Sequence, residues 1–214
     1  MVSTIQYDAM VRMLRTAAAE IRTNHELLSK LDSVGGDGDH GTTMVRAMSY
    51  LEKAIANHTA GDIQTLLYDV GWAILGVDGG ATGPLLGTFF MSMSDAMEDR
   101  DQITAPQLAA LLAVALAGIC VQTPARPGDK TLVDSLTPAV DAAKAAAEAG
   151  GDIMEVLRAA AEGAEKGAAA TKAMQARFGR ARNIKEQSIG TQDPGATSMA
   201  LIFQGFWKGI NGHA

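Results

Sequence analysis

Cysteine is nearly absent from this chain of 214 residues: Cys120 is the only one. A single thiol excludes an internal disulfide framework and a cysteine-based zinc site, and it points to a reducing, cytoplasmic setting. Cys120 itself reads as a core residue. Aromatic residues are scarce at 5%, while hydrophobic residues reach 47% and are dominated by Ala, Leu and Met. That balance disfavours strands, which draw on β-branched and aromatic side chains, and favours packed helices. Basic charge is also short, with a formal net charge of -6. Nucleic acid and anionic membrane are therefore excluded as main partners, and an anionic ligand needs a bridging cation. The N-terminal MVSTIQYDAM lacks the basic then apolar pattern of an export signal. The longest apolar run, Leu108 to Val121, falls short of the roughly 20 residues that cross a bilayer.

What is present is helical periodicity throughout, and one domain over 1–214 accounts for it. Met10, Met13, Leu14, Ala17, Ile21, Leu28 and Leu31 form the first stripe. Met44, Met48, Leu51 and Ile55 form the second, and Ile63, Leu66, Leu67, Val70 and Ile74 the third. The fourth holds Leu85, Leu86, Phe89, Phe90, Met93 and Met97. Thr104 and Gln107 make a capping box for a fifth helix, with Pro106 in its first turn. The sixth runs from about Thr131 to Ala149, with Pro138 expected to kink or restart it. Asp152 and Glu155 open a seventh that reaches about Thr171. Asp193-Pro194-Gly195 caps the eighth, whose stripe is Met199, Ile202, Phe203, Phe206 and Ile210. Trp72 and Trp207 fall near helix stripes and read as packing anchors. The expected fold is all-α, an eight-helix antiparallel bundle or barrel.

In such a bundle every second loop lies at the same end. The connections near His58 to Asp62, Asp99 to Thr104 and Gly150 to Asp152 read as ordinary turns. The loops before helices two, four, six and eight are rich in Gly, Asp, Thr and Pro, so the unusual chemistry converges on one rim. Helix N-termini there favour a bound anion such as phosphate. Asp32, Asp37 and Asp39 place three carboxylates within eight residues, a concentration suited to hard divalent cations, magnesium above all. Asp-Gly pairs alone make turns; four convergent loops make a site.

Four segments, GDGDHGTTM (36–44), GGATGPLLGTFF (79–90), PGDKTLVD (127–134) and SIGTQDPGATS (188–198), resemble in order and spacing the nucleotide-binding L subunit of dihydroxyacetone kinase. The resemblance covers nearly the whole chain. It implies an eight-helix antiparallel barrel binding ADP or ATP at its open end through two Mg2+ ions, with Asp32, Asp37 and Asp39 as metal ligands. By the same resemblance His40, Gly41, Thr42 and Thr43 are nucleotide contacts, as are Ala81, Thr82 and Gly83 in the small-residue turn. Thr123, Leu132, Arg180, Asp193, Pro194 and Gly195 complete that set, with Arg180 reaching the phosphates. Lys130 is left outside it, because a solvated charge explains it equally well.

The implied activity is that of a kinase subunit passing a phosphoryl group to a short-chain ketose held by a partner subunit. Free ATP and a phosphoprotein that recharges bound ADP both remain open as donors, as does a homodimer. Where dihydroxyacetone kinases tend to read GRASYLGERSIGHQDPGA, this chain has GRARNIKEQSIGTQDPGA, and Asp78 precedes the Gly79-Gly80 turn. Those departures leave the sugar open between dihydroxyacetone and a tetrulose. A nucleotide-loaded regulatory module for a protein partner is the alternative, which turnover separates from the enzyme. A lipid inside the bundle is permitted by the Ala- and Met-rich stripes but required by no residue.

Overall fold

The computed structural model describes residues 2–98 and 100–212; Asp99, at the start of one expected turn, lies outside them. Nine α-helices occur among the described residues: α1 (Tyr7–Thr23), α2 (His25–Asp32), α3 (His40–Asn57), α4 (Ile63–Leu75), α5 (Thr82–Asp95), α6 (Ala105–Gln122), α7 (Val133–Glu148), α8 (Ile153–Ala170) and α9 (Pro194–Ile210). Two-residue strands β1 (Thr4–Ile5) and β2 (Ile103–Thr104) pair antiparallel, tying the start of the chain to the entry of α6.

Eight helices form a closed ring. Each packs on the next in the order α1, α3, α4, α5, α6, α7, α8, α9, and α9 returns to α1. The short α2 sits against α3. The expected first helix is thus two helices, because Asn24 ends α1. Its side-chain Nδ2 donates to Glu20 O at 2.8 Å, and its backbone N–H turns back to the Glu20 and Ile21 carbonyls. An asparagine that bonds the preceding turn competes with helix continuation.

Residues of the expected stripes form the core: Met10, Leu14, Leu51, Leu67, Ile74, Phe89 and Phe203 are all essentially inaccessible to solvent, and Leu112 and Leu157 join them. Full burial of one such side chain stabilises the fold by about 1.5–3 kcal/mol. A chain of edge-to-face rings crosses the interior, Phe90 to Phe89 to Phe203 to Phe206, with centroids 5.2, 6.3 and 6.0 Å apart. Two close helix contacts depend on glycine. A Cβ on Gly205 of α9 would stand 2.2 Å from Ala17 Cα of α1, and one on Gly167 of α8 would stand 2.2 Å from the Asp134 carbonyl of α7.

The caps form as the sequence predicts. Thr104 N–H donates to Gln107 Oε1 at 2.8 Å, Asp152 and Glu155 exchange side-chain-to-backbone bonds, and Asp193 Oδ2 accepts from Ala196 N–H at 2.7 Å. Helix α7 passes through Pro138 without restarting. Trp72 departs from the packing expectation: it is 61% exposed and stacks on Tyr68, whereas Trp207 packs partly buried against the core. Cys120 is half-buried rather than core. Helix α6 is long and apolar enough, by length and composition alone, to cross a membrane; here it packs between α5 and α7.

Candidate functional site

The N-termini of α3, α5, α7 and α9 meet at one end of the ring around a cavity of about 410 Å3. Its rim is polar, and its floor is apolar, formed by Met44, Leu86, Met199 and Ile202. Unpaired N–H groups and aligned peptide dipoles at four helix starts give this opening a positive backbone potential.

Against it stands the acidic loop between α2 and α3. Asp32, Asp37 and Asp39 each offer a carboxylate oxygen, and these oxygens lie within 4.8 Å of one another. Backbone geometry gathers them. Gly36 N–H returns to Asp32 O at 2.6 Å, and a Cβ on Gly36 would lie 2.3 Å from Asp32 Oδ1, so only glycine lets that carboxylate fold over its own loop. Gly38 then takes φ 76°, which a residue with a Cβ rarely adopts. Arg180 forms an ion pair with Asp37 Oδ2. Hard oxygen donors at this spacing fit a divalent cation of the magnesium type.

His40, the first residue of α3, links three of the four helix starts. Its Nε2 bonds Ser198 Oγ of α9 at 3.1 Å, and its Nδ1 faces Thr82 Oγ1 of α5 at 3.5 Å. Burial lowers its pKa, opposed by the Asp32 charge and by a bond to the Pro194 backbone, so the neutral ring is favoured. Asp193 is pushed the other way. Burial raises its carboxyl to about 7, against the Ala196 N–H bond and the Lys130 charge, with Asp134 adding to the rise.

Of the sequence-predicted residues, Asp32, Asp37, Asp39, His40, Ala81, Thr82, Thr123, Leu132, Arg180, Asp193, Pro194 and Gly195 all line this one cavity. Gly41, Thr42, Thr43 and Gly83, also expected as nucleotide contacts, are not among the residues that line it. A Cβ on Gly41 would meet His25 O at 2.0 Å, and one on Gly83 would meet Val77 O at 2.7 Å, so both glycines permit close backbone packing. Thr43 is buried and supports the Gly79-Gly80 turn, where a Cβ on Gly79 would lie 2.5 Å from its Oγ1; Thr42 is exposed.

Sequence reasoning missed the wall made by Phe178, Ala181 and Ile184, for which no periodic signal exists. It also misjudged Lys130, which is only 4% exposed rather than a solvated charge.

The fold and site together define a class: an all-α barrel whose open end sets clustered carboxylates against helix N-termini. A family model described as the DAK2 domain matches residues 34–208, and the chain belongs to that family. It is 38% identical over 182 residues to the PEP-dependent dihydroxyacetone kinase, ADP-binding subunit DhaL, of Escherichia coli (strain K12), covering 85% of this chain and 87% of that one. It is also 35% identical over 200 residues to the L-erythrulose 1-kinase of Mycolicibacterium smegmatis, covering 91% of this chain but 34% of that longer protein. Among solved structures, the dihydroxyacetone kinase from C. freundii in complex with AMP-PNP and Mg2+ aligns with a TM-score of 0.73 at 24% identity. That alignment covers 97% of this chain and 35% of the other, and it shows a shared fold.

Proposed function

We propose that this chain, acting over 1–214 as one domain, is the nucleotide-binding subunit of a dihydroxyacetone-kinase-like enzyme. It passes a phosphoryl group from bound ATP, or from ADP recharged in place, to a short-chain ketose held by a partner subunit. The observation behind this reading is the convergence of three carboxylates, four helix N-termini and an arginine on one cavity. The names of the relatives favour it, since they include ADP-binding subunits of dihydroxyacetone kinases and erythrulose kinases.

Asp32, Asp37 and Asp39 would hold two Mg2+ ions, which neutralise phosphate charge and bridge it to an acidic protein. Backbone N–H groups at the starts of α3, α5 and α9 bind phosphate oxygens, with Ala81, Thr82 and Gly195 keeping the approach clear. Arg180 supplies the cation: its guanidinium is largely exposed and rests on Asp37. Neutral His40, oriented by Ser198, fixes the entry of α3 against α9 while presenting a ring edge to the nucleotide. Thr123 and Leu132 border the base or ribose. Phosphoryl transfer needs positioning and charge neutralisation more than covalent assistance, and the cavity offers both. The setting is cytoplasmic, where nucleotide and a phosphoryl-donor protein are available.

Calorimetry with ADP tests this reading. Binding is expected in magnesium and lost in excess chelator, and Asp37→Asn is expected to abolish it while the helical circular dichroism signal persists. Undiminished affinity without metal would rule out the proposed role of the three aspartates.

A further inference from the structure

The segment between α8 and α9 leaves the rim at Thr171, makes an excursion that bears Arg180, and returns at Asp193. Two 3₁₀ stretches, Thr171–Ala173 and Arg180–Ser188, give it some regularity, the second interrupted at Lys185 with φ 50°. Ala176 and Phe178 give the excursion a small apolar foothold. Its two strands are joined at the neck by Gly190 N–H to Lys172 O at 2.8 Å, Ala176 N–H to Ser188 Oγ at 2.9 Å and Asp193 N–H to Thr171 Oγ1 at 2.8 Å, and one side chain from a different loop is added to these bonds.

Lys130 Nζ donates to Thr171 O at 2.9 Å and reaches Met174 O at 3.3 Å on the outgoing strand of the neck. On the returning strand it donates to Ser188 O at 2.7 Å and Thr191 O at 2.6 Å. An ammonium has three protons and no acceptor capacity, so this one is fully spent on carbonyls from both sides. Burial lowers its pKa and the Asp193 charge opposes that shift.

The loop that presents Lys130 is itself held. Its backbone takes φ 62°, unusual for a residue with a side chain, and Asp134 accepts from Gly128 N–H and Thr131 N–H on either side. The neighbouring Asp129 adds an ion pair to Arg177 at 3.3 Å and accepts that residue's backbone N–H at 3.1 Å. The two loops form one unit, with a buried cation at its centre and Arg180 at its edge beside Asp37.

We propose that Lys130 is a positioning residue for phosphoryl transfer: its buried ammonium clamps the neck of the 172–190 excursion and so sets where Arg180 stands on the rim. The inference rests on the reading under Proposed function. Lys130 lines the cavity, but its donors are all taken by carbonyls of the neck, so it acts through the excursion. A guanidinium misplaced by an ångström is enough to cost a large part of its effect on a transferring phosphoryl group.

The test is a double-mutant cycle between Lys130→Met, which keeps the aliphatic stem and removes the ammonium, and Arg180→Ala. It is read on kcat of the chain with its ketose-binding partner and, separately, on Mg-ADP affinity. K130M is expected to lower kcat by about 100-fold. In the R180A background the same change is expected to add less than about 3-fold, since both variants remove one effect. Full additivity in both readouts overturns the proposal.

Hydrogen exchange supplies a readout independent of activity: amides of 175–190 exchange faster in K130M and at the wild-type rate in R180A, whose neck is intact. Unchanged exchange in K130M also overturns the clamp. If the wild-type pair shows no ketose-dependent turnover, the functional reading fails, while the exchange result and the affinity cycle still decide whether Lys130 places Arg180. Should K130M lose its helical circular dichroism, Lys130→Arg takes its place in the cycle, because a guanidinium keeps the charge but cannot gather its donors at one point.

Discussion

Asp193 is expected to make the stability of the fold depend on pH. Its carboxyl is pushed up to about 7 in the fold, against 3.8 for the unperturbed group, so the folded chain holds a proton that the unfolded chain releases. Between those values the native state binds more protons, and unfolding free energy falls as pH rises. The contribution is fully present below 3.8 and is lost as pH climbs through about 7. Urea denaturation of the nucleotide-free protein at several pH values checks this. The wild type is expected to lose stability over that window relative to Asp193→Asn, which keeps a capping oxygen without the titration. Parallel curves for the two proteins would show that Asp193 does not titrate there.

At the level of helices and loops, the apolar stripes were legible because each holds a helical period over several turns, and burial follows that period in α1, α3, α4, α5 and α9. The caps at Thr104, Asp152 and Asp193 were legible because capping is local chemistry. The break at Asn24 was not, since the apolar stripe continues across it from Ile21 to Leu28 and the turn is marked only by bonds from the Asn24 side chain and backbone N–H to the preceding turn. Trp72 was misread because Val70 and Ile74, two residues to either side, face inward; two residues turn a helix by about 200°, which puts Trp72 on the solvent face. Lys130 was misread because its partners are backbone carbonyls 41 to 61 residues away, which no sequence pattern reports.

The glycine crossings offer a test at this scale. Gly205→Ala drives a methyl into the Ala17 backbone, which no rotamer can relieve, and is expected to destabilise the fold by about 1–3 kcal/mol or more. Gly76→Ala, at φ -86° with open space around it, is the control and is expected to be near neutral. Equal thermal midpoints for the two variants would show that α1 and α9 can part without cost.

For the whole molecule, the proposed roles give the cavity's groups to metal, phosphate and base and leave none to orient a ketose. Purified chain with Mg-ATP is therefore expected to show no ketose-dependent ADP formation, and to gain it when a ketose-binding partner subunit is added. Docking of that partner would exclude water and bring the sugar hydroxyl toward the terminal phosphate. Robust phosphorylation by the isolated chain would place a sugar site within it, with Arg182 to Gln187 the segment to search. The packing of α9 on α1 also fixes an order of assembly. The ring joins its first helix to its ninth, and α9 brings Ser198 to His40 as it docks. A chain emerging from the ribosome thus leaves the α9-facing sides of α1 and α8 without their partner until α9 has been made.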